Sequence, residues 1–138
     1  MGRCFCGAVE ISIEAEPLGA RLCWCRDCQR LASGSATVNV LFPPDAVHLQ
    51  GPVSTIARVA DSGNRVERGF CASCGSQIFS KTVNVAELPM RIRAGILDDP
   101  ELVRPSAIIW AQSAPSWAIL DPALPHHPGG PETQPMAR

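Results

Sequence analysis

The seven cysteines of this 138-residue chain fall into three groups whose spacing suits metal ligands. They read Cys4-Phe5-Cys6-Gly7, Cys23-Trp24-Cys25-Arg26-Asp27-Cys28 and Cys71-Ala72-Ser73-Cys74-Gly75. The first and third groups each end in Cys-Gly. In a zinc knuckle the chain turns sharply so that two sulfurs face one ion, and glycine after the second ligand permits a positive φ there. Two knuckles supply four thiolates, the tetrahedral set of a structural zinc site. Cys4, Cys6, Cys71 and Cys74 are therefore expected to share an ion and to close a loop of more than sixty residues. The competing explanation is buried or redox cysteines, since thioredoxin-like motifs also carry CxxC. The βαβ setting of such a motif is missing here.

The middle group places three thiols within six residues, and no matching fourth cysteine remains. Cys23, Cys25 and Cys28 are expected to hold a second zinc with one position open to a ligand. Three thiolates on Zn²⁺ leave a net charge of −1, which weakens its pull on water and favours a soft fourth partner such as a substrate thiol. That suits thiol–aldehyde and carbon–sulfur chemistry better than peptide or ester hydrolysis. A histidine could fill the position instead. His48 is the one histidine outside the C-terminal tail, and His126-His127 in the tail reads as a solvent-facing pair. Arg21, Arg26, Asp27, Gln29 and Arg30 flank the group. Arg26 or Arg30 is the candidate for holding a ligand carboxylate, and Asp27 or Gln29 for orienting it, against the plainer reading of solvated side chains. Asp98-Asp99-Pro100 reads as a turn rather than a catalytic carboxylate pair.

Composition narrows the function classes. The net charge is −1, from 12 basic and 13 acidic side chains, so the positive excess of a nucleic-acid binder is absent. No run of apolar residues is long enough to cross a membrane, and no leader opens the sequence, so a soluble cytoplasmic protein is expected. An odd cysteine count without export signals argues against a disulfide framework. Hydrophobic residues make up 46% but aromatic ones only 5%, so the core must rest on aliphatic side chains.

The elements that must position these cysteines are mostly strands. Ala8–Ala15 alternates, with Val9, Ile11 and Ile13 on one side. Gly34–Phe42 repeats the pattern with Ala36, Val38, Val40 and Phe42. Shorter strands are predicted at Val47–Leu49, Thr55–Ala60, Val66–Phe70, Gln77–Lys81, Met90–Ile96 and Ala107–Ala111. Turn clusters such as Pro43-Pro44, Gly51-Pro52 and Asp61-Ser62-Gly63-Asn64 leave no room for a packed helix. Only Arg26–Ala32 and Ala86–Leu88 are candidates for short helical turns. The reading is one mostly antiparallel β domain over residues 2–125, followed by a Pro/Gly-rich tail, 126–138, expected to be extended or disordered.

Three stretches resemble the glutathione-dependent formaldehyde-activating enzyme family, which is grouped with centromere protein V. They are Gly2-Arg3-Cys4-Phe5-Cys6-Gly7-Ala8-Val9, Cys23-Trp24-Cys25-Arg26-Asp27-Cys28-Gln29-Arg30 and Phe70-Cys71-Ala72-Ser73-Cys74-Gly75-Ser76. Echoes continue at Ala94–Pro100, Ile109-Trp110 and Trp117–Asp121. The resemblance implies an Mss4-like β fold, a structural zinc on Cys4, Cys6, Cys71 and Cys74, and a second zinc on Cys23, Cys25 and Cys28. It also implies a carbon–sulfur lyase activity that joins glutathione to formaldehyde as S-hydroxymethylglutathione. The chain departs from the family at Ile108, where members often carry histidine. The rival functions are a non-catalytic zinc module for a protein partner and a thiol redox or metal-storage role.

Overall fold

The computed structural model describes residues 1–85 and 87–136, which form two β-sheets and one short helix. The strands are β1 (Gly2–Arg3), β2 (Glu10–Ile13), β3 (Gly19–Cys23), β4 (Thr37–Phe42), β5 (Val47–Gln50), β6 (Val53–Val59), β7 (Arg65–Cys71), β8 (Gln77–Thr82), β9 (Met90–Arg93) and β10 (Ile108–Ile109). The helix α1 spans Arg26–Leu31. The small sheet has the order β1-β2-β5, and the large one β10-β3-β4-β9-β8-β7-β6. All pairings are antiparallel except β10 with β3.

Strand periodicity gives the large sheet two unlike faces. Ala20, Val40, Ile92 and Phe79 are cross-strand partners in one row, and all four are buried. They share the main core with Val9 and Ile11 from around β2, so the small sheet packs on this face. The alternate residues form two polar rows on the opposite face. One is Arg21, Asn39 and Arg93; the other is Leu41, Arg91, Ser80 and Arg68.

Two predicted strands, Met90–Ile96 and Ala107–Ala111, give way to 3-10 turns. Met90–Ile96 stops at Arg93, because Ala94–Ile96 forms a 3-10 turn closed by the Leu97 amide on the Ala94 carbonyl. Ala107–Ala111 keeps only Ile108 and Ile109. Trp110 then adopts a left-handed conformation (φ 55°, ψ 34°) and turns the chain into a 3-10 turn at Ala111–Ser113. A non-glycine residue there is strained. The Trp110 amide donates to the Gly129 carbonyl, which helps hold the turn. Periodicity did not reveal β3, whose Gly-Ala-Arg-Leu-Cys sequence has no clean alternation. The helical turn expected at Ala86–Leu88 falls partly on Ala86, outside the described residues; Glu87 and Leu88 are not helical.

The tail corrects an expectation. Rather than hanging free, 125–130 runs beside β10. The Ile108 amide donates to the Pro125 carbonyl, the His127 amide to the Ile108 carbonyl, and the Ala111 amide to the His127 carbonyl. Gly129 and Gly130 are buried. The prolines donate no amide, but their carbonyls accept, and their fixed φ leaves less chain entropy to lose on docking. His126 and His127 bond their ring nitrogens to the carbonyls of Asp121 and Thr133.

Candidate metal centres

The two knuckles meet at one end of the core. Cys4 follows β1, Cys71 closes β7, and the four sulfurs of Cys4, Cys6, Cys71 and Cys74 all lie within 4.8 Å of one another. Individual separations are 3.6 Å for Cys4 to Cys6 and 3.9 Å for Cys6 to Cys71. Sulfurs ~2.3 Å from a tetrahedral zinc stand ~3.8 Å apart, so the set fits such an ion. It is far too open for disulfides, and all seven cysteines are free. Gly7 and Gly75 take the expected positive φ, 80° and 79°. The Val9 amide donates to the Cys4 sulfur at 3.2 Å. Ser76 links the knuckles: its hydroxyl accepts from the Phe5 amide at 3.0 Å and lies 3.1 Å from the Cys74 sulfur. The Ser76 hydroxyl and amide pull the Cys74 thiol down to about 5, into the range where it is a thiolate at neutral pH.

The second cluster forms where β3 gives way to α1. Cys23 ends the strand, Cys25 caps the helix with its sulfur accepting the Cys28 amide at 3.1 Å, and Cys28 sits in the first turn. All three are buried, and their sulfurs lie within 4.8 Å of one another. Ile109 packs against them because β10 runs beside β3, placing it opposite Cys23. Without an ion the sulfurs share their protons unequally. Hydrogen bonds from Cys23 and Cys25, with further help from Thr37 and Arg93, hold Cys28 well below the ordinary thiol range. The same bonds, together with burial, push Cys23 up. Among the described residues no fourth ligating side chain joins the cluster. His48 stands on β5 in the other sheet, 3.5 Å from Glu14.

A cavity of about 490 Å³ opens beside these three sulfurs. Its walls carry Arg21, Arg68, Arg91 and Arg93 from the polar face of the large sheet, and Glu132 from the tail. A larger depression of about 690 Å³ touches only Cys4 among the cysteines, so the smaller one is the cavity that adjoins the Cys23, Cys25 and Cys28 cluster. Arg26, Gln29 and Arg30 are not on the cavity wall. Spaced i, i+3 and i+4, they share one face of α1, and the helix directs that face elsewhere. The Gln29 amide braces the helix, donating to the Trp24 and Ser113 carbonyls at 2.8 and 2.9 Å, while its oxygen accepts from Arg26. Arg30 is largely exposed beside Asp27. Asp27 is buried and pairs with Arg68 at 3.7 Å and Arg58 at 3.6 Å, tying α1 to β7 and β6.

Sequence reading placed Arg21 near the site but missed Arg68, Arg91 and Arg93, which come from strands far along the chain. The available signal was Arg91-Ile92-Arg93, which puts two cations on the same face of a short strand. Ile108, the position of the family departure, is fully buried with Trp24 and Ala111 and does not line the cavity.

The family profile described as "Glutathione-dependent formaldehyde-activating enzyme" matches residues 1–113. A crystal structure of a Rhodobacter sphaeroides protein is similar in fold, with a TM-score of 0.57 at 23% identity, covering 72% of this chain and 91% of that one. No curated protein sequence matches.

Proposed function

This chain belongs to the glutathione-dependent formaldehyde-activating enzyme family, and from that membership we propose a zinc-dependent, carbon–sulfur lyase-type enzyme that joins a glutathione-like thiol to a small aldehyde. The observation that carries the proposal is the second cluster: three buried sulfurs, no fourth protein ligand among the described residues, and a cavity against them. Zinc held by Cys23, Cys25 and Cys28 would supply a soft Lewis-acid position that takes a thiol as its thiolate. In the addition itself a sulfur–carbon bond forms and the aldehyde π bond opens. The thiol proton ends on the new hydroxyl, so nothing is oxidised or reduced.

The chain's own residues prepare that step. Burial of the three cysteines leaves them little exposed except toward the cavity, and Ile109 closes one side. The Arg93 guanidinium lies close enough to Cys28 to favour its thiolate and offset the surplus negative charge of a three-thiolate centre. The cavity arginines take the part that sequence reading gave to Arg26 and Arg30, that of facing a ligand carboxylate. The four-cysteine cluster is proposed as the structural zinc site. Seven free thiols suit a reducing compartment, and the cytoplasm is part of the proposal.

The test is formation of the hydroxymethyl thioether from glutathione and formaldehyde, measured against the spontaneous reaction under the same conditions. The zinc-loaded protein is expected to exceed that rate, and Cys28→Ser to return it to background. A wild-type rate equal to background would overturn the enzyme reading and favour a zinc module that binds a protein partner.

A further inference from the structure

The four cavity arginines are not equally balanced. Arg68 has Asp27 at 3.7 Å. Arg93 has the thiolates of the second cluster, and Arg21 has Cys23 and Glu132 acting on it. Arg91 has the Ser80 hydroxyl, to which its Nε donates at 2.9 Å, and feels Cys23 more weakly than it feels the neighbouring arginines. Among the described residues no carboxylate lies within 4.0 Å of its guanidinium, although Asp61 and Glu132 also line the cavity. Its strongest charge interactions are with like charges. Burial, then the fields of Arg21, Arg93 and Arg68, lower its pKa to about 10, so it stays protonated at neutral pH. The neighbouring arginines also keep unspent donors: Arg93 Nε and Nη2, Arg68 Nε and Arg21 Nε are buried without a hydrogen-bond partner. A half-buried cation with three cationic neighbours and no carboxylate partner is costly unless an anion comes from outside.

We propose that Arg91 is the receptor for an anionic group on the cavity's ligand, and that the sheet sets the distance between that group and the ligand's sulfur. This rests on the thiol-binding reading of the Cys23, Cys25 and Cys28 centre. Cys23 pairs with Thr37, whereas Arg91 pairs with Leu41, four residues further along β4. At about 3.4 Å per residue, the two rows lie ~14 Å apart along the strand. The arginine side chain recovers part of that span, and the ligand must bridge the rest. The geometry therefore selects thiols whose carboxylate stands several bonds from the sulfur. Short thiols such as cysteine or mercaptoacetate bring their carboxylate too close to the metal centre to reach Arg91.

The experiment titrates the zinc-loaded protein by calorimetry with two series of equal chain length, from mercaptoacetate to mercaptooctanoate and the matching ω-mercapto alcohols. Carboxylates and alcohols should bind alike when short. At longer spacers the carboxylate should bind about tenfold more tightly, the scale of a charge-assisted hydrogen bond. Arg91→Met should erase that preference while leaving alcohol binding unchanged, and Arg91→Lys should restore part of it. Equal binding of the two series at every length, or a preference that survives in Arg91→Met, overturns the inference. Should no thiol bind, the thiol-centre reading fails, and hexanoate then decides the arginine site by itself. Tighter binding to wild type than to Arg91→Met keeps that site; equal binding ends it.

Discussion

Cys23, Cys25 and Cys28 differ in what a metal must displace from them. Cys28 is already the thiolate of the trio, whereas Cys23 is pushed up by its bonds to Cys25 and Cys28. On Cys25 the bond from Cys23 pulls downward, but Cys28 and burial outweigh it and the thiol ends raised. Loading this centre at neutral pH should therefore release about two protons per metal, and its affinity should rise with pH until those two thiols ionise unaided. Proton release into a weakly buffered indicator, measured for the second zinc equivalent, checks the count. Release near zero would mean that the three sulfurs are already ionised or do not bind. The cysteines were legible in the sequence because metal ligation leaves local spacing behind. The arginines were not, because Arg21, Arg68, Arg91 and Arg93 converge only through strand pairing.

At the scale of elements, a ligand's position depends on the turn that carries it. Gly75 has a φ of 79°, and a Cβ built there meets no atom within 4 Å. Gly75→Ala is thus a test of backbone strain alone, expected to cost about 1–2 kcal/mol in urea unfolding. Gly75→Asn should cost less, because asparagine tolerates the left-handed region. Equal stability of wild type and Gly75→Ala would show that the knuckle does not need this conformation. Strands with one clean apolar face, such as those containing Ile11 and Ile13 or Val40 and Phe42, were readable from alternation. β3 was not, because it is positioned by its neighbours: β4 on one side and the parallel β10 on the other. The continuous run Ala107–Ala111 concealed a turn that depends on a bond from Trp110 to a residue nineteen positions later.

For the whole molecule, two long-range ties hold the cavity in shape. The first is the four-cysteine cluster, which joins the start of the chain to its middle. With the proposed zinc bound, its crosslink would be worth about 4 kcal/mol by the loop-entropy account used for disulfides. Cys71→Ser, or chelation of that site, should lower stability by that order in denaturant unfolding; an unchanged midpoint would deny the cluster its structural part. The second tie is the tail. Ending the chain after Leu124 removes the carbonyls that satisfy the Ile108, Trp110 and Ala111 amides and strips Glu132 from the cavity wall. Several bonds of about 1 kcal/mol each should together lower the melting temperature by about 5 °C or more. A truncated chain that melts with the full one would show that the tail contributes nothing. Composition left the tail extended or disordered because it counts missing amide donors and overlooks carbonyls, which prolines supply as well as any residue.

Whether the second cluster is a metal centre with room for a thiol can be read from a cobalt-substituted protein. With two cobalt ions bound per chain, adding glutathione should raise the sulfur-to-cobalt charge-transfer absorption as a further sulfur joins the metal, and Cys28→Ser should abolish the change. A spectrum indifferent to glutathione at full cobalt loading would contradict the account and leave the centre closed to thiols.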